Sequence, residues 1–272
     1  MIGSVRRRKI PLIELLKVTY PRKPETELAA LIMRGDVRVN GEQTTKPGTR
    51  VESNALLSLR DAPPYVSRGG EKLARALEAW QVGCDGTVWI DAGCSTGGFT
   101  DCLLAHGASR VYAVDVGLNQ LDWRLRRDSR VTVMEGTNIM DLKPGSFNPV
   151  PHRAVADLSF RSLQGAAFHI LRLTREEWGI FLVKPQFEWA RPSGEFRGVV
   201  RDPRTVVLIV RELVQKLESE GLTAEKALLS PIHGRKGNRE LLFLLSANPG
   251  RTKGLSSKDL ESMILEGWEQ KL

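Results

Sequence analysis

Residues 88–104 read "VWIDAGCSTGGFTDCLL", an apolar run that ends in an aspartate and passes through three glycines into a helical pattern. A strand, a glycine turn and a helix opening at Gly98 together cradle a polar or anionic ligand at the helix N-terminus. A phosphate-gripping loop needs G-x-x-x-x-G-K-[ST], and no lysine follows these glycines. The dinucleotide pattern G-x-G-x-x-G is not matched by Gly93, Gly97 and Gly98 either. Asp115 follows Asp91 by 24 residues and stands near the end of the next apolar run, "RVYAVDV". An acid placed there accepts the two ribose hydroxyls of an adenosine cofactor. An adenosine ligand without phosphate against such a loop points to S-adenosyl-L-methionine, with another nucleotide as the alternative. Asp91 or nearby backbone then meets the amino-acid end. The exit of the third strand, "MEGTNIMDL", offers Asn138 or Asp141 to the adenine.

Around this loop the chain alternates two periods. Strands are expected near 87–91, 110–116, 131–135, 153–158, 178–184, 225–231 and 240–246. Helices are expected near 70–80, 98–106, 119–127, 161–174 and 203–220. Such alternation predicts an α/β, Rossmann-like domain whose mostly parallel sheet is covered on both faces. The tail "SSKDLESMILEGWEQKL" starts with a capping box, Ser256 to Asp259, and repeats apolar residues at Leu260, Met263, Ile264 and Trp268. One more helix docked on the domain is expected there.

Upstream, "PLIELLKV" places Leu12, Leu15 and Leu16 at helical spacing behind Pro11, and "KPETELAALIMRGD" repeats this with Leu28, Leu31, Ile32 and a closing Gly35. The period then changes to two in "VRVNGEQTTKPGTRV", where Asn40-Gly41 is a hairpin signal. A small α+β domain is therefore expected ahead of the α/β domain. The 272-residue chain carries a formal charge of +8, and residues 1–62 hold 12 Lys/Arg against 7 Asp/Glu, so +5 of it falls in the first quarter. A compact basic module implies a polyanionic partner, nucleic acid first.

Other classes fit poorly. The basic and apolar N-terminus imitates a signal peptide, but Glu14 and Lys17 interrupt the apolar patch and no cleavage site follows. No run approaches 18 apolar residues, so no membrane span and a cytoplasmic protein are expected. Cys84, Cys94 and Cys102 are an odd count without C-x-x-C and read as reduced thiols. His106, His152, His169 and His233 are dispersed, so no metal site is expected. Pro63-Pro64-Tyr65 imitates the loop of base-N-methylating enzymes, but Ala62 stands where those carry a polar side chain. Residues 61–66 read as a proline-stiffened linker instead.

At the sheet's C-terminal edge, where open α/β domains bind ligands, four ionisable residues are expected to converge. Asp157 ends "RAVADLSF", Lys184 ends "GIFLVKPQFE" and is held extended by Pro185, Glu240 opens "GNRELLFLL", and Lys72 lies in the first turn of a helix faced by Leu73, Leu77 and Trp80. Methyl transfer to a ribose hydroxyl needs the hydroxyl to lose its proton as it attacks. A lysine serves as the acceptor where burial and a second cation bring its pKa down.

This Lys–Asp–Lys–Glu order resembles the FtsJ-like ribose 2′-O-methyltransferases, and within them the TlyA (haemolysin A) family of rRNA methyltransferases. "YVSRGGEKL", "DAGCSTGGFTDCLLAHGA", "AVDVG", "ADLSFRSL", "LVKPQFE", "GVVRDP" and "SPIHGRKGNRELL" are similar to that family's motifs in the family's order, over residues 10–246. The resemblance implies a seven-stranded class I methyltransferase fold, S-adenosyl-L-methionine as donor, and cytidine 2′-O-methylation of rRNA in ribosomal subunits. It implies Lys184 as general base, Asp157 as its orienter, Lys72 and Glu240 as partners of the 2′-OH, and Asp91, Gly93, Ser95, Gly97, Gly98, Phe99, Asp115, Asn138 and Asp157 around the cofactor.

Residues 28–51 likewise resemble the S4-type RNA-binding domain, which implies Arg34, Arg38, Lys46 and Arg50 on RNA phosphates, with Arg68 joining them from the second domain. The implied organisation is an S4-type domain at 1–60, a linker at 61–66, the methyltransferase domain at 67–248 and a helical tail at 249–272. Lys9-Ile10-Pro11, Arg197 and His233 depart from the family patterns. Two other readings compete: a haemolysin or membrane-active protein, as the family's second name implies, and a non-catalytic ribosome-assembly factor. A 5-methylcytosine enzyme would need a cysteine near "DLSF", which is absent.

Overall fold

A computed structural model describes residues 8–59, 63–159, 162–190, 196–234, 236–248 and 253–269. The chain divides into two compact units, Met1–Pro63 and Pro64–Leu272.

In the smaller unit, β1 (Lys9–Pro11) leads into α1 (Leu12–Thr19) and α2 (Glu25–Arg34), followed by β2 (Val37–Val39), β3 (Glu42–Thr44), β4 (Arg50–Glu52) and β5 (Leu57–Leu59). Leu12 and Leu16 of α1 and Leu28 and Ile32 of α2 are fully buried against Val37 and Val51. Gly35 ends α2 in the left-handed region at φ 78°, as the sequence predicts for a C-terminal cap. Asn40 and Gly41, at φ 52° and 88°, make the tight turn joining β2 to β3. Two pairings were not legible in the sequence: β5 flanks β2 on its other side, and β1 pairs with β4.

In the larger unit, α3 (Arg68–Trp80) precedes β6 (Val88–Ala92), α4 (Gly98–Ala105), β7 (Arg110–Asp115), α5 (Trp123–Arg126), β8 (Val131–Glu135) and a 3₁₀ turn at Ile139–Asp141. Then come β9 (Arg153–Ala156), α6 (Ala166–Arg172), β10 (Trp178–Val183), α7 (Pro185–Glu188), α8 (Pro203–Ser219), β11 (Thr223–Leu229), β12 (Leu241–Ser246) and α9 (Ser257–Glu269). The seven strands form one sheet in the order β11-β12-β10-β9-β6-β7-β8. Only β12 runs against its neighbours. The expected α/β fold with a mostly parallel sheet is the fold found.

Both faces of the sheet are covered, and the strands show it residue by residue. Phe181 and Val183 of β10 point into the cluster holding Ile170 of α6, Val210 of α8 and Ile264 of α9. Ile180 and Leu182, one step out of phase, join Leu73 and Leu77 of α3 and Leu103 of α4 on the other face. Phe181 and Phe243 are fully buried, each worth about 1.5–3 kcal/mol relative to exposure. The tail helix opens with the expected box: the Asp259 N–H donates to Ser256 Oγ at 3.1 Å, and that hydroxyl donates to the Asp259 carboxylate at 2.6 Å. Leu260 and Ile264 bring α9 into the core of the unit.

Two expected helices are shorter than their apolar spacing predicts. The helix expected at 119–127 is one turn, because Asn119 stands in the left-handed region at φ 57° and Asp122 is extended at ψ 138°, so helical backbone begins only at Trp123; Glu135 holds the N–H groups of Asn119, Gln120 and Leu121 in that loop. The helix expected at 161–174 starts only at Ala166, with Gly165 before it at φ 71°. Of the expected linker, residues 61–62 lie outside the described residues. Tyr65 and Val66 belong to the larger unit, where the Val66 N–H donates to Asp101 Oδ2 at 2.8 Å and the Tyr65 ring lies over Gly70.

The first turns of α3 and α4 meet backbone to backbone. A Cβ on Gly98 would lie 2.9 Å from the Gly70 nitrogen, 3.2 Å from the Gly69 Cα and 2.2 Å from Ser67 Oγ. Gly98→Ala is therefore expected to lower stability by about 1–3 kcal/mol, read as a drop in Tm. Gly83→Ala, whose Cβ would meet nothing within 4 Å, should stay within about 0.5 kcal/mol of the parent.

Candidate active site

The chain runs outward from β6 through β7 to β8, then returns to lay β9 against the other side of β6. Ligands of open α/β sheets sit at such a reversal, beyond the C-terminal ends of the strands. Two cavities open there. One, of about 710 Å³, is lined by Gly93, Ser95, Val114–Gly117, Gln120, Thr137–Met140, Asp157–Ser159 and Ala166. The other, of about 380 Å³, is lined by residues 67–69, Lys72, Asp91, residues 93–96, Gly98, Phe99, Asp157, Lys184 and Glu240. Gly93, Ser95 and Asp157 belong to both walls.

The wall they share is tight. Gly93 has φ 80°, and a Cβ there would lie 2.6 Å from the Asp157 carbonyl oxygen, so the β6 exit touches the β9 exit only because residue 93 lacks a side chain. Asp157 Oδ1 is 2.5 Å from Lys184 Nζ. That ammonium also donates to the Leu158 carbonyl at 2.9 Å and to Ser159 Oγ at 3.1 Å. Lys184 is extended, at φ −113° and ψ 98°, as the following proline predicts; Pro185 then starts the one-turn α7. Because β12 is antiparallel, its first residue pairs with the last residue of β10, and Glu240 arrives at the same edge as Lys184. Glu240 Oε2 accepts from Lys72 Nζ at 2.5 Å, both side chains being buried.

All four residues of the expected Lys–Asp–Lys–Glu set thus line one cavity. They form two ion pairs, Lys184–Asp157 and Lys72–Glu240. Lys72 lies in the second turn of α3, not the first.

Of the expected cofactor residues, Asp91, Gly93, Ser95, Gly98, Phe99, Asp115, Asn138 and Asp157 line one cavity or the other, and Gly97 holds the turn between them at φ 95°. Asp115 accepts the Ser95 N–H at 2.8 Å and the Gly117 N–H at 2.7 Å. Each carboxylate oxygen keeps a second lone pair for a ribose hydroxyl. Asn138, not Asp141, faces the larger cavity. Asp91 is fully buried; Thr100 Oγ1 donates to its Oδ2 at 2.6 Å, and its Oδ1 has no partner. Burial lifts this carboxyl to about 7, the Thr100 bond opposing and the nearby Asp157 and Asp115 adding to the rise. A buried carboxylate oxygen lacking a donor at the cavity wall fits the ammonium of an amino-acid-bearing cofactor.

Several contributors carried no sequence signal: Thr100 behind Asp91, Ser159 on Lys184, and Gln120 on Ser95 at 3.2 Å. Arg68 is exposed at the mouth of the smaller cavity. In the smaller unit, Arg38, Lys46 and Arg50 are exposed, and the Arg34 side chain lies outside the described residues. Cys84, Cys94 and Cys102 are buried free thiols; burial pushes Cys84 up to about 11 and Cys102 to about 12. Among the described residues no cluster of three metal-ligating side chains and no helix long and apolar enough to cross a membrane occur.

The description of the FtsJ-like methyltransferase family matches residues 65–247. The 16S/23S rRNA (cytidine-2′-O)-methyltransferase TlyA of Mycobacterium tuberculosis is 39% identical over 241 residues, 88% of this chain and 89% of the relative. Hemolysin A of Brachyspira hyodysenteriae is 38% identical over 214 residues, 78% of this chain and 89% of the relative. A solved structure from Streptococcus thermophilus, named for a hemolysin, superposes with a TM-score of 0.72 at 32% identity and covers 95% of both chains.

The state of Asp91 sets a pH dependence. Its protonated form offers no charge to an ammonium, so S-adenosylmethionine should bind about five- to tenfold more weakly at pH 6 than at pH 7.5. Calorimetry across that range checks this. Asp91→Asn should bind weakly with a flat profile, and a flat profile for the parent protein would contradict the assignment.

Proposed function

This chain belongs to the FtsJ-like methyltransferase family, and from that premise we propose that it methylates the 2′-hydroxyl of a ribose in ribosomal RNA, a cytidine in ribosomal subunits. The observation that carries the reading is the Lys184–Asp157 pair at the wall common to both cavities. A donor whose adenosine fills the larger cavity and whose amino-acid end reaches Asp91 in the smaller one would present its methyl at that wall to a ribose held by Lys72, Lys184 and Glu240.

S-adenosylmethionine, when bound, supplies an electrophilic methyl group on a sulfonium. The residues of this chain then have separable tasks. Lys184, as the amine, receives the proton that the 2′-OH loses as its oxygen attacks. Asp157 holds the Lys184 nitrogen at the shared wall and faces the sulfonium with negative charge. The buried Lys72–Glu240 pair presents a donor and an acceptor to the ribose, fixing which lone pair points at the methyl. Asp91 takes the ammonium of the donor, Asp115 its ribose, and Asn138 its adenine edge.

The smaller unit is proposed as an S4-type RNA-binding domain, with Arg34, Arg38, Lys46 and Arg50 on phosphates; in the larger unit, Arg68 is proposed to meet RNA as well. Contacts of that kind make affinity fall steeply with salt. An rRNA substrate supports a cytoplasmic location. The hemolysin names among the relatives label the same family, and vesicle leakage by the pure protein is the observation that would favour a membrane role.

Incubation with unmodified small and large ribosomal subunits and radiolabelled S-adenosylmethionine, followed by digestion to nucleosides and mass spectrometry, tests the proposal. Label is expected in 2′-O-methylcytidine. Lys184→Ala should reduce the rate by at least about 10²-fold while donor binding persists. Label on a nucleobase would refute ribose chemistry, and absence of label with the donor bound would favour an assembly factor.

A further inference from the structure

Trp123 is 64% exposed, although it opens a helix whose next apolar residue, Leu125, is buried. An indole left in water on an otherwise anchored turn calls for an explanation, and its neighbourhood supplies one. The Arg127 guanidinium lies over the ring, 5.5 Å from its centroid. Arg124, Arg126 and Arg130 nearby each bond a carboxylate, of Asp122, Glu135 and Asp128 respectively. Arg127 meets no carboxylate among the described residues and keeps its charge for a ligand.

The turn is held rigidly beside the reaction cavity. Glu135 binds the Arg126 guanidinium and the N–H groups of Asn119, Gln120 and Leu121; the guanidinium first, and then the N–H groups, hold its carboxyl down at about 2. The Asp122 N–H donates to the Thr96 carbonyl at 3.2 Å, and Thr96 lines the smaller cavity. Leu121 and Leu125 press so closely on the glycine loop that a Cβ on Gly97 would lie 2.7 and 2.3 Å from their Cδ1 atoms. Trp123 itself lines neither cavity, so it stands outside the walls that would hold the donor.

We propose that Trp123 and Arg127 form a stacking platform for an unpaired RNA base that neighbours the methylated nucleotide, Arg127 also meeting the adjoining phosphate. A target ribose can enter a cavity of this size only from a strand locally out of its helix, and bases so released stack on aromatic and guanidinium planes. The inference rests on the RNA methyltransferase reading and adds the residues that position the substrate.

The test compares parent, Trp123→Ala, Trp123→Phe and Arg127→Ala in steady-state methylation of ribosomal subunits, with donor affinity measured by calorimetry. Trp123→Ala should raise KM for RNA about tenfold and leave kcat at saturating RNA and donor affinity within about twofold. Trp123→Phe should recover most of the loss, and Arg127→Ala should reduce the logarithmic salt slope by about one. An unchanged KM in Trp123→Ala overturns the platform, as does a matching loss of donor affinity, which would assign the indole to the cofactor. A parent protein that labels no RNA overturns the underlying function instead.

Discussion

The contact between the ends of β6 and β9 is the constraint on which the site depends. These strands are neighbours in the sheet, yet some sixty residues and two other strands separate them in the chain. Their exits fit together because residue 93 has no side chain and Asp157 presents backbone to it. That contact brings the Asp91 turn, the Asp157 carboxylate and the Lys184 amine to one wall. It also crowds three carboxylates, Asp91, Asp115 and Asp157, around the loop, and their mutual repulsion adds to the effect of burial on Asp91. A cationic ligand relieves both costs, so the charge expected of a sulfonium with an ammonium matches what the loop lacks.

Much of this was legible in the sequence where the physics is local. Strands buried on both faces appear as unbroken apolar runs, so "GIFLV" and "LLFLL" announced themselves. Capping at Ser256, the turn at Asn40-Gly41 and the extended Lys184 before Pro185 depend on one or two residues each and were found where expected. The candidate residues could be placed at strand ends by counting along each run.

What the sequence hid depends on partners far away in the chain. Lys72 and Glu240 could be assigned to the sheet edge, but their pairing requires β12 to enter the sheet in reverse, and no periodicity marks direction. The helix expected at 119–127 lost its first turn to a left-handed Asn119 and an extended Asp122, in a loop held by a glutamate on the next strand. The three residues of β1 found their partners 39 to 43 positions later. Thr100 and Ser159 have the unremarkable side chains of any helix or loop, and only their neighbours give them a part in the site.

The buried Lys72–Glu240 pair spans 168 positions, joining the first helix of the larger unit to its last strand. A chain still emerging from its own ribosome would already hold the glycine loop, Asp157 and Lys184 while residue 240 remained unmade. Lys72 would then be a cation without its counter-charge, and a lysine cannot stay in the interior on those terms. The smaller cavity is therefore built from both ends of the larger unit, and a chain lacking its final strand would present the elements of a methyltransferase without one wall of that cavity.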